Sequence, residues 1–142
     1  QQPPPPPADW TLISDCTHFE EYHAELFWTL IQCTVSTGGG TIWMCQPDRG
    51  KSLDRFLDLV RAVHSGAKNN GAIDGTTTST SPPLVLVQEQ HYDTLRTKHE
   101  ELLQRDKTYD PNIHRPRVFC LRKLRAETEQ DRLAAIRHVQ ER

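Results

Sequence analysis

From Trp10 onward, apolar and polar positions fall into short blocks of two kinds. Trp10-Thr11-Leu12-Ile13-Ser14 is a continuous apolar run ending at Asp15, the pattern of a strand buried on both faces. Phe19, Tyr22, Leu26, Phe27, Leu30 and Ile31 then recur at helical spacing. They predict a helix over 19–34 with Glu20, Glu21 and Glu25 facing away, crowded into first turns where the helix dipole favours them. Gly38-Gly39-Gly40 stops that helix, and Thr41-Ile42-Trp43-Met44-Cys45 reads as a second buried strand. After the polar stretch 46–51, Ser52 suits a helix cap, and Leu53, Phe56, Leu57, Val60 and Val63 form the next apolar stripe. Strand, helix, strand, helix calls for parallel strands with helices packed on the sheet.

The second half repeats the alternation less cleanly. A Gly/Asn/Thr/Ser-rich insert over 66–83 is long for a loop inside a compact domain. A third strand follows over 84–88. Tyr92, Leu95, His99, Leu102 and Leu103 then predict a helix over 91–105. Tyr109-Asp110-Pro111-Asn112 makes a turn, Val118-Phe119-Cys120-Leu121 a fourth strand, and 127–142 a polar helix with a thin stripe of Leu133, Ile136 and Val139. At the other end, Gln1 to Pro7 is a polyproline tract, extended and unable to donate to a sheet. The domain reading is a linker over 1–9, an α/β unit over 10–125 interrupted by the insert, and a terminal helix over 126–142.

Composition narrows the function classes. Apolar residues make up 35% of 142, and the net charge of −2 argues against bulk electrostatic binding to nucleic acid or membrane. No apolar stretch approaches the ~18 residues of a membrane span. Cys16, Cys33, Cys45 and Cys120 lack CxxC spacing and sit in runs read as strand or helix, the usage of a reducing compartment. The expectation is a soluble protein of the cytoplasm, with the nucleus as a second location.

Several motifs invite chemistry. Gly50-Lys51-Ser52 stands where a phosphate loop would, but the glycine required five residues earlier is Cys45, inside a strand. His18 and His23 do not share a helical face, and His91 and His99 lie two turns apart on one predicted helix, so no metal set is written. Arg115, Arg117, Arg122, Lys123 and Arg125 surround the fourth strand. The favoured reading is a charged edge strand that resists aggregation, with docking of an acidic protein second and RNA binding third. Asp15 is the most informative residue. Ligands of open parallel sheets bind outside the carboxyl ends of the strands, and Asp15 and the 46–51 loop follow two such ends. The competing reading, that Asp15 caps the following helix, stays open.

Four stretches together carry a resemblance to calmodulin-lysine N-methyltransferases, a family within the seven-strand enzymes that use S-adenosylmethionine. They are Ser14-Asp15-Cys16 with Phe19, Tyr22 and Leu26; Pro47-Asp48-Arg49-Gly50 with Leu53 and Phe56; Tyr92-Asp93 with His99 and Leu102; and Tyr109 to Lys123 with its His114-x-Pro116 step. Order and spacing agree over most of 10–123, with 66–83 as an extra insertion. The resemblance implies an α/β fold made of the C-terminal half, strands four to seven, of a Rossmann-like methyltransferase sheet, the last strand antiparallel.

It also implies a function: S-adenosylmethionine-dependent methylation of a lysine on calmodulin or another acidic protein. Ser14 matches a residue beside the cofactor, and Pro47 and Arg49 match a substrate loop. Asp15 opens the family's Asp-x-x-aromatic motif near the target lysine. Here the aromatic position holds His18, with Phe19 one step later, so Asp15, His18 and Phe19 are the candidate catalytic group. The family's first three strands, glycine-rich cofactor loop and ribose-binding acid would lie ahead of Trp10, where this sequence has only the polyproline tract. The 142 residues are therefore expected to be a fragment, poorly stable and inactive alone. A non-catalytic interaction module, or half of a split enzyme, is the other reading.

Overall fold

The computed structural model describes residues 6–35, 40–65 and 84–140. Gly38, Gly39 and the 66–83 insert lie outside the described residues. The elements are β1 (Trp10–Ser14), α1 (His23–Cys33), β2 (Thr41–Pro47), α2 (Ser52–Ser65), β3 (Val85–Gln90), α3 (Asp93–Arg105), α4 (Pro111–His114), β4 (Pro116–Lys123) and α5 (Glu129–Gln140). Four strands form one mixed sheet in the order β1-β2-β4-β3, with β1 parallel to β2 and β4 antiparallel to both its neighbours. The last strand alone therefore runs against the others.

Period two decides which residues of each strand enter the core. Ile42 and Met44 of β2, Phe119 and Leu121 of β4 and Val85 of β3 are buried together with Phe27, Leu30 and Ile31 of α1, the α2 stripe and Ala135 of α5. The α2 stripe is the predicted one: Leu53, Phe56, Leu57, Val60 and Val63 are all buried, joined by Leu59. The helices α1, α2 and α5 touch one another on this face. At Gly40 the chain passes so close to the residues just after α1 that an added Cβ would lie 2.5 Å from the Val35 carbonyl oxygen, which explains the glycine. Ala8 bridges Thr34, and the Asp9 carbonyl accepts from Thr41 N–H at 2.9 Å, tying the chain ahead of β1 to the sheet.

Several expectations are corrected. β1 is at most half-buried, and on one face only: Thr11 and Ile13 are half-buried, whereas Trp10 is 69% and Leu12 75% exposed, because among the described residues β1 ends the sheet and no helix covers its outer face. Cys45 of β2 is exposed for the latter reason, and Cys16 stands in a loop, outside strand or helix. β4 is not an edge strand. It lies between β2 and β3, with Phe119 in the core as expected and Lys123 buried. The first long helix begins at His23, after a separate 3-10 turn (Glu20–Tyr22) that swings Phe19 and Tyr22 out of the stripe into solvent. His91 precedes α3, which has no buried residue. In α5 the predicted stripe is displaced: Leu133 is exposed, whereas Ala135 and Asp131 are buried; the Val139 side chain lies outside those described.

Polar caps secure two of the helices. Thr128 and Asp131 form a reciprocal cap at the start of α5: Asp131 Oδ2 accepts from Thr128 N–H at 2.7 Å, and Thr128 Oγ1 accepts from Asp131 N–H at 3.2 Å. Arg125 closes on the same carboxylate with two bonds of 2.8 Å. Burial pushes the Asp131 carboxyl up, but the bonds from Arg125 and Thr128 outweigh it and hold the group below its usual range. At the far end of α1, Lys123 donates to the carbonyls of Ile31 at 2.7 Å and Thr34 at 3.3 Å and pairs with Glu127 at 3.0 Å. An ammonium on the last carbonyls of a helix satisfies acceptors that have no partner within it.

Candidate functional site at the carboxyl ends of the first two strands

β1 and β2 are parallel, so the turns that follow them leave the sheet at the same end. Both are left-handed. Asp15 has φ of 48°, and Arg49, Gly50 and Lys51 have φ of 36°, 67° and 74°. Only glycine adopts this region without cost, so the three non-glycine residues are held there by their surroundings. Arg49 is held by its N–H, which donates to the Asn112 carbonyl at 2.8 Å, and by its guanidinium, which donates to Asp15 Oδ2 at 2.8 Å. Asp15 N–H still reaches the Cys45 carbonyl at 3.2 Å, so the pairing of β1 with β2 continues to the turn itself.

Asp15 caps no helix. Neither the 3-10 turn nor α1 has a side-chain cap. Ser52 does not cap α2 either: it is the first helical residue, buried, with its hydroxyl unpartnered. The left-handed turn delivers the chain so that Arg55 N–H bonds the Lys51 carbonyl at 3.0 Å.

The turn after β1 is fastened from beneath by Gln46. This side chain occupies the inward position after Ile42 and Met44 and is fully buried (0% exposed). Its Oε1 accepts from Cys16 N–H at 2.8 Å and, at 3.4 Å, from Thr17 N–H and Thr17 Oγ1. Thr17 in turn offers its carbonyl to Nε2 of buried His23 at 2.9 Å, and the His23 ring meets Phe56 edge to face. Burial pushes the Cys16 thiol up, against the pull of its Gln46 contact.

The predicted site residues gather here. Ser14 is the exposed last residue of β1, and Asp15 follows it, half exposed. His18 and Phe19 are exposed, their rings 5.0 Å apart, with Tyr22 6.5 Å beyond Phe19. Pro47 ends β2 opposite Pro116 of β4, and Arg49 joins Asp15. Gln46, Thr17 and His23 were missed by sequence reasoning, although an inward-facing glutamine in a β2 pattern of period two was a usable signal.

Arg117 organises the neighbouring stretch of the rim. It pairs with Glu89 at 2.9 Å, Asp48 at 2.7 Å and Asp54 at 3.0 Å, and lies over the Phe119 ring. The Glu89 bond leads in raising the guanidinium above its ordinary pKa, aided by Asp48 and Asp54 against burial, and it holds Glu89 below the usual carboxylate range. Of the basic cluster around β4, then, Arg117, Lys123 and Arg125 are spent on internal partners. Among the described residues, no three His, Cys, Asp or Glu side chains come together as a metal set, and no helix is long and apolar enough to cross a membrane. No known family model matches the sequence, and no curated protein does.

Proposed function

We propose that this chain supplies the second half of an S-adenosylmethionine-dependent protein-lysine N-methyltransferase, its strands corresponding to strands four to seven of the seven-strand sheet. The supporting observation is the rim just described. β4 alone runs antiparallel, and Ser14, Asp15, His18, Phe19, Pro47 and Arg49 meet at the carboxyl ends of two parallel strands. Calmodulin or another acidic protein is the acceptor that goes with this reading.

Ser14 is exposed at the open side of β1, so a cofactor seated there can reach it; the rest of its cradle would come from other elements. S-adenosylmethionine, when bound, supplies a methyl group on a sulfonium. What the chain's own residues do is position the acceptor. Asp15 keeps Oδ1 open among the described residues while Oδ2 is held by Arg49, so Oδ1 can accept from a lysine amine and orient it. A bare carboxylate would favour the charged ammonium, whereas transfer needs the neutral amine. Arg49 offsets that charge. The exposed rings of His18, Phe19 and Tyr22 wall the approach and keep water from the alkyl stem.

The test is calorimetric titration with S-adenosylmethionine. It compares these 142 residues with a polypeptide in which a glycine-rich cofactor half precedes Trp10. Binding by the longer polypeptide alone is expected, followed by methyl transfer that Asp15→Ala abolishes with cofactor binding unchanged. Full turnover by Asp15→Ala would remove Asp15 from the mechanism. The open outer edge of β1 favours a second version, in which another polypeptide completes the sheet; co-expression and co-purification with a first-half chain would distinguish it.

A further inference from the structure

The helices α1, α2 and α5 all pack on one face of the sheet. On the opposite face, the strand register lines up the outward side chains in rows. Trp10 stands beside Thr41, Thr41 beside Arg122 and Arg122 beside Leu86; in the next row Leu12 stands beside Trp43. A sheet face meant for water carries polar residues at these alternate positions. β1 and β2 break that rule. Trp10 and Leu12 are the most exposed large hydrophobic residues among those described, and half-buried Trp43 adjoins them. The one long helix outside the core, α3, has no buried residue and leaves them bare. Apolar surface gathered in this way marks an interaction site.

Shape and charge decide what covers it. The backbone groups of β2 and β4 are spent on their ladders, so an occupant of this face must arrive with its own backbone satisfied. The four strands span three intervals of ~4.8 Å, roughly 14 Å, and a helix with its side chains is ~10–12 Å across. From Trp10 to Ser14 the strand rises about 13 Å, the length of roughly nine helical residues. One short helix fits. In plan the face is on the order of 200 Å2, far below the ~800 Å2 that each partner gives a stable interface, so a second copy meeting it face to face gains too little.

The charge points the same way. Among the outward positions of the four strands, only Arg122 is charged. It is exposed, its cross-strand neighbours Thr41 and Leu86 are neutral, and among the described residues no carboxylate pairs with it. Arg117, Lys123 and Arg125 each have acidic partners, and Arg122 does not. A second copy would crowd two like charges into the same small patch, whereas an acid on a different partner would be matched.

We propose that this face docks one amphipathic helix of a protein partner, with apolar side chains over Trp10, Leu12 and Trp43 and a carboxylate at Arg122. The proposal stands on the sheet alone and holds whatever reaction the rim serves. It also fixes a spacing. The row of Leu12 and Trp43 lies two residues along the strands from the row of Arg122, about 6.6 Å. At ~1.5 Å per helical residue, the acid and the apolar side chain seated on Trp43 stand about four residues apart.

The experiment is fluorescence anisotropy of the 142-residue chain with two fluorescein-labelled peptides. Each has about 15 residues, long enough to form a helix, and is rich in alanine with one leucine stripe. They differ at one position four residues from a stripe leucine, which is Glu in one and Lys in the other. The wild type is expected to bind the Glu peptide about tenfold more tightly than the Lys peptide. Arg122→Glu should reverse that order, which a misfolded variant could not do. Leu12→Ser, on the exposed face, should weaken both peptides. Absence of binding by both peptides overturns the proposal. So does the same order of affinity in wild type and Arg122→Glu, or binding that Leu12→Ser leaves unmoved. If the peptides fail and wild type mixed with Arg122→Glu forms tighter dimers in sedimentation velocity than either alone, the face takes a second copy and the helix is refuted.

Discussion

Replacing Gln46 with Leu tests whether the turn that carries Asp15 is held from beneath. The substitution nearly preserves volume and removes the acceptor of Cys16 N–H, Thr17 N–H and Thr17 Oγ1. The 2.8 Å bond to Cys16 is a full hydrogen bond, and the two at 3.4 Å are long and weak. An orphaned buried donor costs ~1–3 kcal/mol, so one strong and two weak losses amount to about 3 kcal/mol. Burying leucine instead of an amide offsets roughly 1 kcal/mol. The net of about 2 kcal/mol corresponds to a midpoint about 8 °C lower, at ~4 °C per kcal/mol for a domain of this size. The left-handed turn at Asp15 is then free to relax, and the Asp15–Arg49 bond loosens with it. Thermal unfolding followed by circular dichroism reads the first effect, and amide hydrogen exchange at Cys16 and Thr17 reads the second. A midpoint within about 1 °C of the wild type, with unchanged exchange at both amides, would refute the latch.

Lys123→Met keeps the apolar stem, strips the α1 carbonyls of their donor and leaves Glu127 without its ion pair; a loss of about 3 kcal/mol is expected in denaturant titration. Acid should destabilise the fold through Glu89 and Asp131. Both carboxyls are lowered in the folded state, so their contribution is complete above their unfolded pKa values and is lost as pH falls through the folded ones, below roughly pH 4. An Asp131→Asn variant whose unfolding between pH 5 and pH 3 matched the wild type (roughly the range where aspartate titrates) would show that Asp131 contributes nothing there. The isolated chain should self-associate through the bare edge of β1. Leu12→Lys, on its exposed face, is expected to raise the monomer fraction in sedimentation velocity, and an unchanged distribution would exonerate that edge.

The order of elements was legible because periodicity is local: α2 alone shows five stripe residues, all found in the core. The meeting of the two loops was legible to the same degree. Parallel strands release their loops at one end, so Asp15 and the 46–51 segment had to be neighbours if β1 and β2 paired as read. What a local pattern cannot contain is which strand lies beside which. The cluster of cations around β4 reads as an exposed edge until Asp48, Asp54 and Glu89, from three other segments, surround Arg117. Trp10 and Leu12 read as core because apolar runs are normally covered, and the edge position of β1 together with the lack of a covering helix among the described residues leaves them bare. Gln46 and Cys16, thirty residues apart, meet because two strands are in register. The sequence by itself thus determined most of the elements, the buried face of α2 and the end of the sheet where the two loops meet. Tertiary structure decided the edges, the latch and the partners of each charge, since these depend on contacts between segments that no local period records.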